Sequence, residues 1–393
     1  MRIQVCVYLA VLLMGSSLHA GSSALTPQLE QLRSEGFDAL YNMRYEEAKA
    51  KFLQMTKLDA GHPAGYIYTA GSIWLNYLFK LRRLQTSLYN RNDAFFTKTV
   101  RELDPVVDKE FQDTMAQGIQ LCESRIKSNK NDIHALYYLG VAKGAYAGYE
   151  TTVRRSFFSS LRNGAVAVDL HRSVLKKDPH FIDANLSIGL YDYVVGSLPL
   201  AVKVLVFLGG VRGSKKDGLL KLEKVVKEGQ YARDEAAVIL ILLYDREKRL
   251  EDSLKLLQTL SAKYPGNSVF RLETGRTLAR LHRSQESLQH FEILLQDQSA
   301  MNYIPDLIHY QYAAALFESK AWDRAYFHFV SAASHPKAPE SLVTMARLDV
   351  GRCLDAMGKH QLAQAEYQFV LRRPEAFDAH DLAKTYMKRP FTP

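Results

Sequence analysis

The chain has 393 residues, 47% of them hydrophobic and 11% aromatic, and Lys+Arg 51 against Asp+Glu 42 leaves a net charge of +9. This apolar content excludes a disordered chain, three cysteines exclude a disulfide scaffold or a zinc cluster, and the length exceeds what one hydrophobic core usually sustains. The meaning of the basic excess depends on where it sits.

Met1 and Arg2 precede an apolar run over residues 5–14, followed by small residues ending in Ser22, Ser23 and Ala24. That order is the pattern of a secretory signal peptide, with cleavage expected after Ala24 or, second, after Ala20. The apolar run is about half the roughly 20 residues a membrane span requires. The expectation is an exported chain, periplasmic or associated with the outer envelope. Residues 1–24 are read as the signal peptide, 25–230 as repeats with long insertions, and 231–393 as regular repeats. Cys122 and Cys353 fall at apolar helical phases, where a buried inert thiol is expected.

Beyond residue 25 the apolar periodicity is helical throughout, in pairs of helices with a recurring pattern. A small residue in the first helix is followed twelve positions later by a second small residue, and four further on by a bulky one. Gly36, Ala48 and Phe52 make the first set. Gly71, Gly140 and Gly189 mark three more first helices, whose second helices arrive late, at residues 106–128, 162–179 and 214–228. Residues 234–265 form an uninterrupted hairpin, with Leu240, Tyr244, Ser253 and Leu257 at the seam and Pro265 as the stop. Gly275, Ser287 and Phe291, then Ala313, Ala325 and Phe329, then Gly351, Ala363 and Tyr367 complete the series. Small residues let two helices cross closely, and the bulky one fills the seam between them.

In this period and these phases the chain resembles the tetratricopeptide repeat (TPR) family, whose repeat is 34 residues long. The resemblance implies an all-α fold, an α-solenoid of about eight helical hairpins wound into a right-handed superhelix, with insertions in the second to fourth repeats. It also implies a concave groove lined by first-helix positions two, five, nine, twelve and thirteen. In the second repeat these are Tyr68, Ser72, Leu75 and Asn76, in the third Tyr137 and Val141 beside His134, and in the fourth Leu186, Leu190 and Tyr193. The sixth and eighth repeats supply Arg276, Arg280 and Arg352 instead. An apolar, tyrosine-rich groove suits an extended peptide or short helix with hydrophobic anchors. The alternative is that these residues pack against the insertions. The lysine and asparagine arrangement with which some family members clamp a C-terminal carboxylate is not matched.

The insertions, at residues 79–101, 148–162 and 194–216, hold 13 basic residues against 2 acidic ones, a net +11, so everything outside them sums to −2. Equivalent loops of consecutive repeats project from one edge of a solenoid. A basic patch interleaved with aromatics is therefore expected there, including Lys80, Arg82, Arg83, Arg91, Arg154, Arg155, Arg212, Lys215 and Lys216. It would serve an acidic protein partner or an anionic membrane surface; export argues against nucleic acid. Residues 194–211 are apolar nearly all round but interrupted by Ser197, Pro199 and Lys203. They read first as a plug packed into the groove or against the other insertions, then as a membrane or partner contact, then as a homodimer contact. The glycines at 209, 210 and 213 lead into a basic helix start that Ser214 is expected to cap, with phosphate binding as the weaker alternative.

No zinc-protease motif, nucleophile elbow, dinucleotide fingerprint or calcium loop occurs, and the 12 histidines are scattered. Two Ser-x-x-Lys tetrads, at 124–127 and 173–176, lie within repeat helices without companion motifs. The sequence thus predicts a non-catalytic scaffold with no cofactor and no metal, binding an envelope protein or peptide. Peripheral binding to anionic lipid is the alternative. Oligomeric state is left open.

Overall fold

The computed structural model describes residues 24–84, 103–198 and 213–393. The first segment expected to be cleaved, and most of the first and third insertions, lie outside them. Eighteen helices are described, with no strand among the described residues. In chain order they are α1 (Pro27–Tyr41), α2 (Tyr45–Leu58), α3 (Pro63–Lys80), α4 (Pro105–Ser128), α5 (Ile133–Tyr149), α6 (Phe157–Lys177), α7 (Asn185–Ser197), α8 (Lys215–Glu228) and α9 (Arg233–Arg246). There follow α10 (Leu250–Lys263), α11 (Ser268–Arg280), α12 (Ser284–Gln296), α13 (Gln298–Tyr303), α14 (Pro305–Glu318), α15 (Trp322–Ser334), α16 (Glu340–Ala356), α17 (His360–Leu371) and α18 (Ala379–Lys388). Eight antiparallel pairs stack into an all-α solenoid of TPR-like hairpins; α13 is a short linker and α18 covers the last pair.

The local chemistry accounts for the helix starts. Thr26, Asp104, Asp132, Ser214 and Asn267 each turn a side-chain oxygen onto a backbone N–H of the first turn, and proline occupies the first turn of α1, α3, α4 and α14. The turns inside the hairpins are equally regular. Met43, Arg82, Arg155, Lys248, His282, Lys320 and Gly358 all have left-handed backbones, with φ from 55° to 74°. In six of these turns the following N–H returns to the carbonyl five residues back, as from Arg44 to Ala39 (2.8 Å) and from Lys359 to Leu354 (2.8 Å). Six of the seven left-handed residues are not glycine, so the turn is imposed by hairpin packing against a local preference.

Within a hairpin the glycine and the ring fit as expected. A Cβ on Gly36 would lie 2.4 Å from the Phe52 ring, one on Gly351 2.4 Å from Tyr367, and one on Gly275 2.8 Å from Phe291. Phe52, Phe291 and Tyr367 are fully buried, and each contributes about 2–3 kcal/mol by leaving water. In the third hairpin the bulky position is His171, whose ring lies 2.2 Å from a Cβ built on Gly140. Its Nε2 is 3.0 Å from the Tyr137 carbonyl and its Nδ1 2.5 Å from Ser187 Oγ. Gly71 departs from the expectation. Nothing lies within 4 Å of its Cβ direction, and the close crossing of α3 with α4 is made instead at Gly118, where a Cβ would lie 2.8 Å from Ile67. The register of the second hairpin is therefore displaced from the one read in sequence.

The solenoid winds tightly enough to meet itself. The turn after α1 rests on the loop before α11: Gly266 N donates to Asn42 Oδ1 (3.0 Å), Asn267 Nδ2 donates to the Tyr41 carbonyl (2.6 Å), and the Tyr41 and Tyr264 rings pack at 4.9 Å. One hairpin further on, Arg82 Nε donates to Asp306 Oδ2 (3.1 Å), with both side chains buried, and Phe79 meets Tyr303 at 6.3 Å. Hairpins one and two thus sit on hairpins six and seven, and one hydrophobic core joins residues on both sides of that contact.

Two outcomes are expected. Gly351→Ala drives a methyl into the Tyr367 ring and should destabilise the fold by about 1–3 kcal/mol, whereas Gly71→Ala meets open space inside a helix and should be stabilising by about 0.5–1 kcal/mol; urea midpoints of the two variants check both signs. Removing one partner of the buried pair, as in Asp306→Ala, should cost about 3–5 kcal/mol, and the double change Arg82→Met with Asp306→Leu should recover most of that loss.

Candidate partner-binding surfaces

The N-terminal concave face is occupied by the chain itself. Phe37, Tyr68, Tyr138 and Tyr137 form a continuous run of rings at 4.9, 6.3 and 5.5 Å, which continues through Phe181 at 4.7 Å from Tyr137. Arg33, held by Glu30 through two hydrogen bonds of 2.8 and 2.7 Å, lies over both the Phe37 and Tyr231 rings. Of the residues expected to line an open groove, Ser72 and Tyr137 are buried, and Ser72 Oγ donates to the Thr69 carbonyl of its own helix. Tyr193 is buried and donates to Glu247 Oε1 (2.6 Å). Tyr68, Leu75, Val141 and Leu186 pack as partly buried members of hydrophobic clusters, Leu190 is half-buried, and Asn76 donates to Glu46 (3.1 Å). The correction follows from the winding. Hairpin one lies against the loop before α9, so the first-helix side chains of the N-terminal repeats meet each other rather than an open groove.

What remains between α1 and that loop is a cavity of about 400 Å³ bounded by Arg33, Tyr41, Tyr231, Asp234, Glu235 and Lys263. Lys263 Nζ and Tyr264 Oη both reach Asp234 Oδ2 at 2.7 Å. Burial pushes the neighbouring Glu235 carboxyl up to about 7; Asp234 adds to the shift and Arg33 opposes it.

The insertion edge is a different surface. The second insertion folds as the end of α5, a π-helical turn at Glu150–Arg154 and the start of α6. It is bonded to the ends of its neighbours: Trp74 Nε1 donates to Thr152 Oγ1 (2.9 Å), Tyr149 Oη to Asp108 (2.9 Å), and Arg154 to both Asp108 oxygens (2.9 and 2.7 Å). Asp104 N in turn donates to Tyr77 Oη (3.0 Å). The ends of α3 and α5 and the start of α4 are thereby tied together. Lys80 and Lys216 are exposed, Arg83 and Arg155 half-buried, and Lys215 is exposed but paired with Glu247 at 2.7 Å. Arg82 is withdrawn into its buried pair with Asp306, while Arg154, half-buried, is paired with Asp108. Arg91 and Arg212, with residues 199–211 of the apolar run, lie outside the described residues. Large apolar side chains nevertheless face solvent here: Phe158 is 84% exposed and Val106 74%.

The C-terminal repeats keep a cleft of about 390 Å³ on the concave side, lined by Tyr310, Ala314, Phe317 and Glu318 of α14 and by Asp349 and Arg352 of α16. Most of these are the groove positions of the seventh and eighth repeats, and only Arg352 was singled out from sequence. Arg352 Nη1 pairs with Asp349 Oδ1 (2.7 Å), and Tyr310 Oη donates to Asp349 Oδ2 (2.9 Å). Toward the sixth repeat the same face carries Arg276, bonded to Glu273 and Asp245, and Arg280, paired with Asp245.

No group of three or more metal-ligating side chains occurs among the described residues, and no described helix is long and apolar enough to cross a membrane. Cys122 and Cys353 are separate, buried thiols; burial pushes Cys122 up to about 12 and Cys353 in the same direction. Both Ser-x-x-Lys tetrads lie in repeat helices, α4 and α6.

The Iml2/Tetratricopeptide repeat protein 39 family pattern matches residues 171–343, under half of the chain. No curated protein matches. Among solved structures the chain is similar to yeast Tom70, with 10% identity over 93% of this chain and 89% of that one and a TM-score of 0.41. It is also similar to the human IFIT1 dimer with m7Gppp-AAAA, with 13% identity, 94% and 87% coverage and a TM-score of 0.47. A tetratricopeptide repeat protein from Parabacteroides merdae matches with 10% identity, 82% and 99% coverage and a TM-score of 0.35. The family match and the eight stacked hairpins agree on a TPR-like repeat fold.

The raised Glu235 carboxyl yields a pH prediction. A group that holds its proton more tightly when folded stabilises fully below about 4.5 and loses that contribution as pH rises through about 7. Glu235→Gln should therefore match the unmodified chain at pH 4 and exceed it by about 1–2 kcal/mol at pH 8, after discounting for solvent reaching the cavity; denaturation midpoints from pH 4 to 8 give the comparison.

Proposed function

We propose that this chain is an exported, non-catalytic scaffold of the cell envelope that binds an acidic protein partner through its insertion edge and C-terminal concave cleft. One observation carries the reading: where the ends of α3 and α5 and the start of α4 are tied together, Phe158 at the start of α6 is 84% exposed and Val106 at the start of α4 74%, with Lys80 exposed at the end of α3. Large apolar side chains exposed on a well-packed protein mark interaction surfaces, and the surrounding basic residues select an acidic partner. The export reading rests on the order of residues in 1–24.

The same pairing of apolar and basic side chains favours a second reading, peripheral attachment to an anionic membrane surface, where each basic residue near the surface contributes about 1 kcal/mol.

The variant Lys80→Glu, Phe158→Ser, Lys216→Glu tests the edge, and vesicle flotation separates the two readings. Affinity capture from envelope extract should recover the principal partner at least about tenfold less well with the variant than with the unmodified chain, each first checked for intact helical circular dichroism. Equal recovery would remove the insertion edge from the account. Flotation with anionic and neutral vesicles addresses the alternative, which requires salt-sensitive binding to anionic vesicles alone.

A further inference from the structure

The concave cleft of the last two repeats already holds a segment of its own chain. After α18 the backbone turns back, and residues 389–393, Arg-Pro-Phe-Thr-Pro, run against α14 and α16. Phe391 is the anchor. The Arg352 guanidinium lies over two neighbouring rings, 4.5 Å from the Phe391 centroid and 4.8 Å from that of Phe317, and the Phe391 and Phe317 centroids are 5.7 Å apart. Phe391 N donates to Asp355 Oδ2 (2.8 Å).

Both recognising groups are set in place from within the repeats. Arg352 is oriented by Asp349, which also takes the Tyr310 hydroxyl. Asp355 accepts from Tyr367 Oη and lies 2.7 Å from His360 Nδ1. Pro390 and Pro393 hold the segment extended. Contact is only partial: Phe391 remains half-exposed, and the cleft of about 390 Å³ continues past it along Tyr310, Ala314, Phe317 and Glu318.

We propose that this cleft is a peptide-binding site for an extended partner segment bearing an aromatic residue next to proline, and that residues 389–393 act as its internal competitor. The inference rests on the reading of this chain as a protein-binding scaffold and names the chemistry of one of its two surfaces. A partner peptide places its ring on Arg352 and its backbone N–H on Asp355, as Phe391 does, and gains over the internal segment by extending into the unfilled part of the cleft. The internal segment has the advantage of tethering, which gives it a high effective concentration. The site is therefore largely closed to weak ligands and open to those that outreach the tail.

The test is fluorescence anisotropy with a labelled Arg-Pro-Phe-Thr-Pro peptide. A chain lacking residues 390–393 should bind it saturably, the full chain at least about tenfold more weakly, and the full chain with Phe391→Ala to within about threefold of the shortened one. Replacing Phe by Ala in the peptide, or Arg352→Gln in the shortened chain, should abolish saturation. Thermal melts establish that each variant is folded, and the Phe391→Ala chain keeps the test valid should the shortened one not fold. The inference is overturned if the folded, tail-released proteins show no saturable binding, or if the full chain binds as tightly as they do. Loss of this binding with partner capture at the insertion edge intact defeats the cleft inference alone; loss of capture with peptide binding intact defeats the edge.

Discussion

The self-contact of the solenoid is the constraint on which the remaining surfaces depend. Hairpins one and two come to rest on hairpins six and seven, and the buried pair of Arg82 with Asp306 joins them across 224 positions of sequence. A charge of either sign left alone in that position is strongly unfavourable, while the matched pair is tolerated, so the contact favours one stacking over neighbouring ones. Asn42 and Asn267, reaching into each other's turns, add directional hydrogen bonds to the same contact. Once it is made, the N-terminal concave face is closed. Its rings meet mostly edge to face, with Arg33 over both Phe37 and Tyr231.

This winding redistributes the roles that a regular superhelix would give its parts. The tyrosines of the N-terminal first helices become core, and burial lifts Tyr68, Tyr137 and Tyr138 well above the ordinary phenol range. The surfaces left open are the insertion edge and the C-terminal cleft, the two on which the proposed partner binding rests. The edge stays coherent although its repeats are interrupted, because the links from Trp74 to Thr152 and from Arg154 to Asp108 replace the short turns found elsewhere. The charge at the edge is consequently less available than its composition indicates. Arg82, Arg154 and Lys215 are all engaged by carboxylates of the chain.

The hairpins themselves could be read from sequence because their packing is local. Gly36 and Phe52, or Gly351 and Tyr367, lie sixteen positions apart, and a small residue facing a bulky one is a requirement visible in the letters. The exceptions have equally physical causes. At Gly71 the small residue expected to face the second helix meets open space, and the close approach is made from the other helix, where Gly118 faces Ile67. At His171 a polar ring takes a position normally aliphatic or aromatic. It does so neutral, burial having pushed its imidazole down to about 4, with Ser187 and the Tyr137 carbonyl as partners.

By itself the sequence determined the fold class, the eight hairpins and the stretches that hold the basic excess, all of which follow from spacings within some thirty residues; the second helix of the third hairpin begins at Phe157, five residues before the position read from sequence. The tertiary structure alone decided that the N-terminal groove is filled, that Arg82 belongs to the core, and that Phe391 lies in the C-terminal cleft. Each of these depends on the sum of small rotations from one repeat to the next. No single spacing records that sum, because it is set by how every pair of hairpins packs, and only its total brings Arg82 to Asp306.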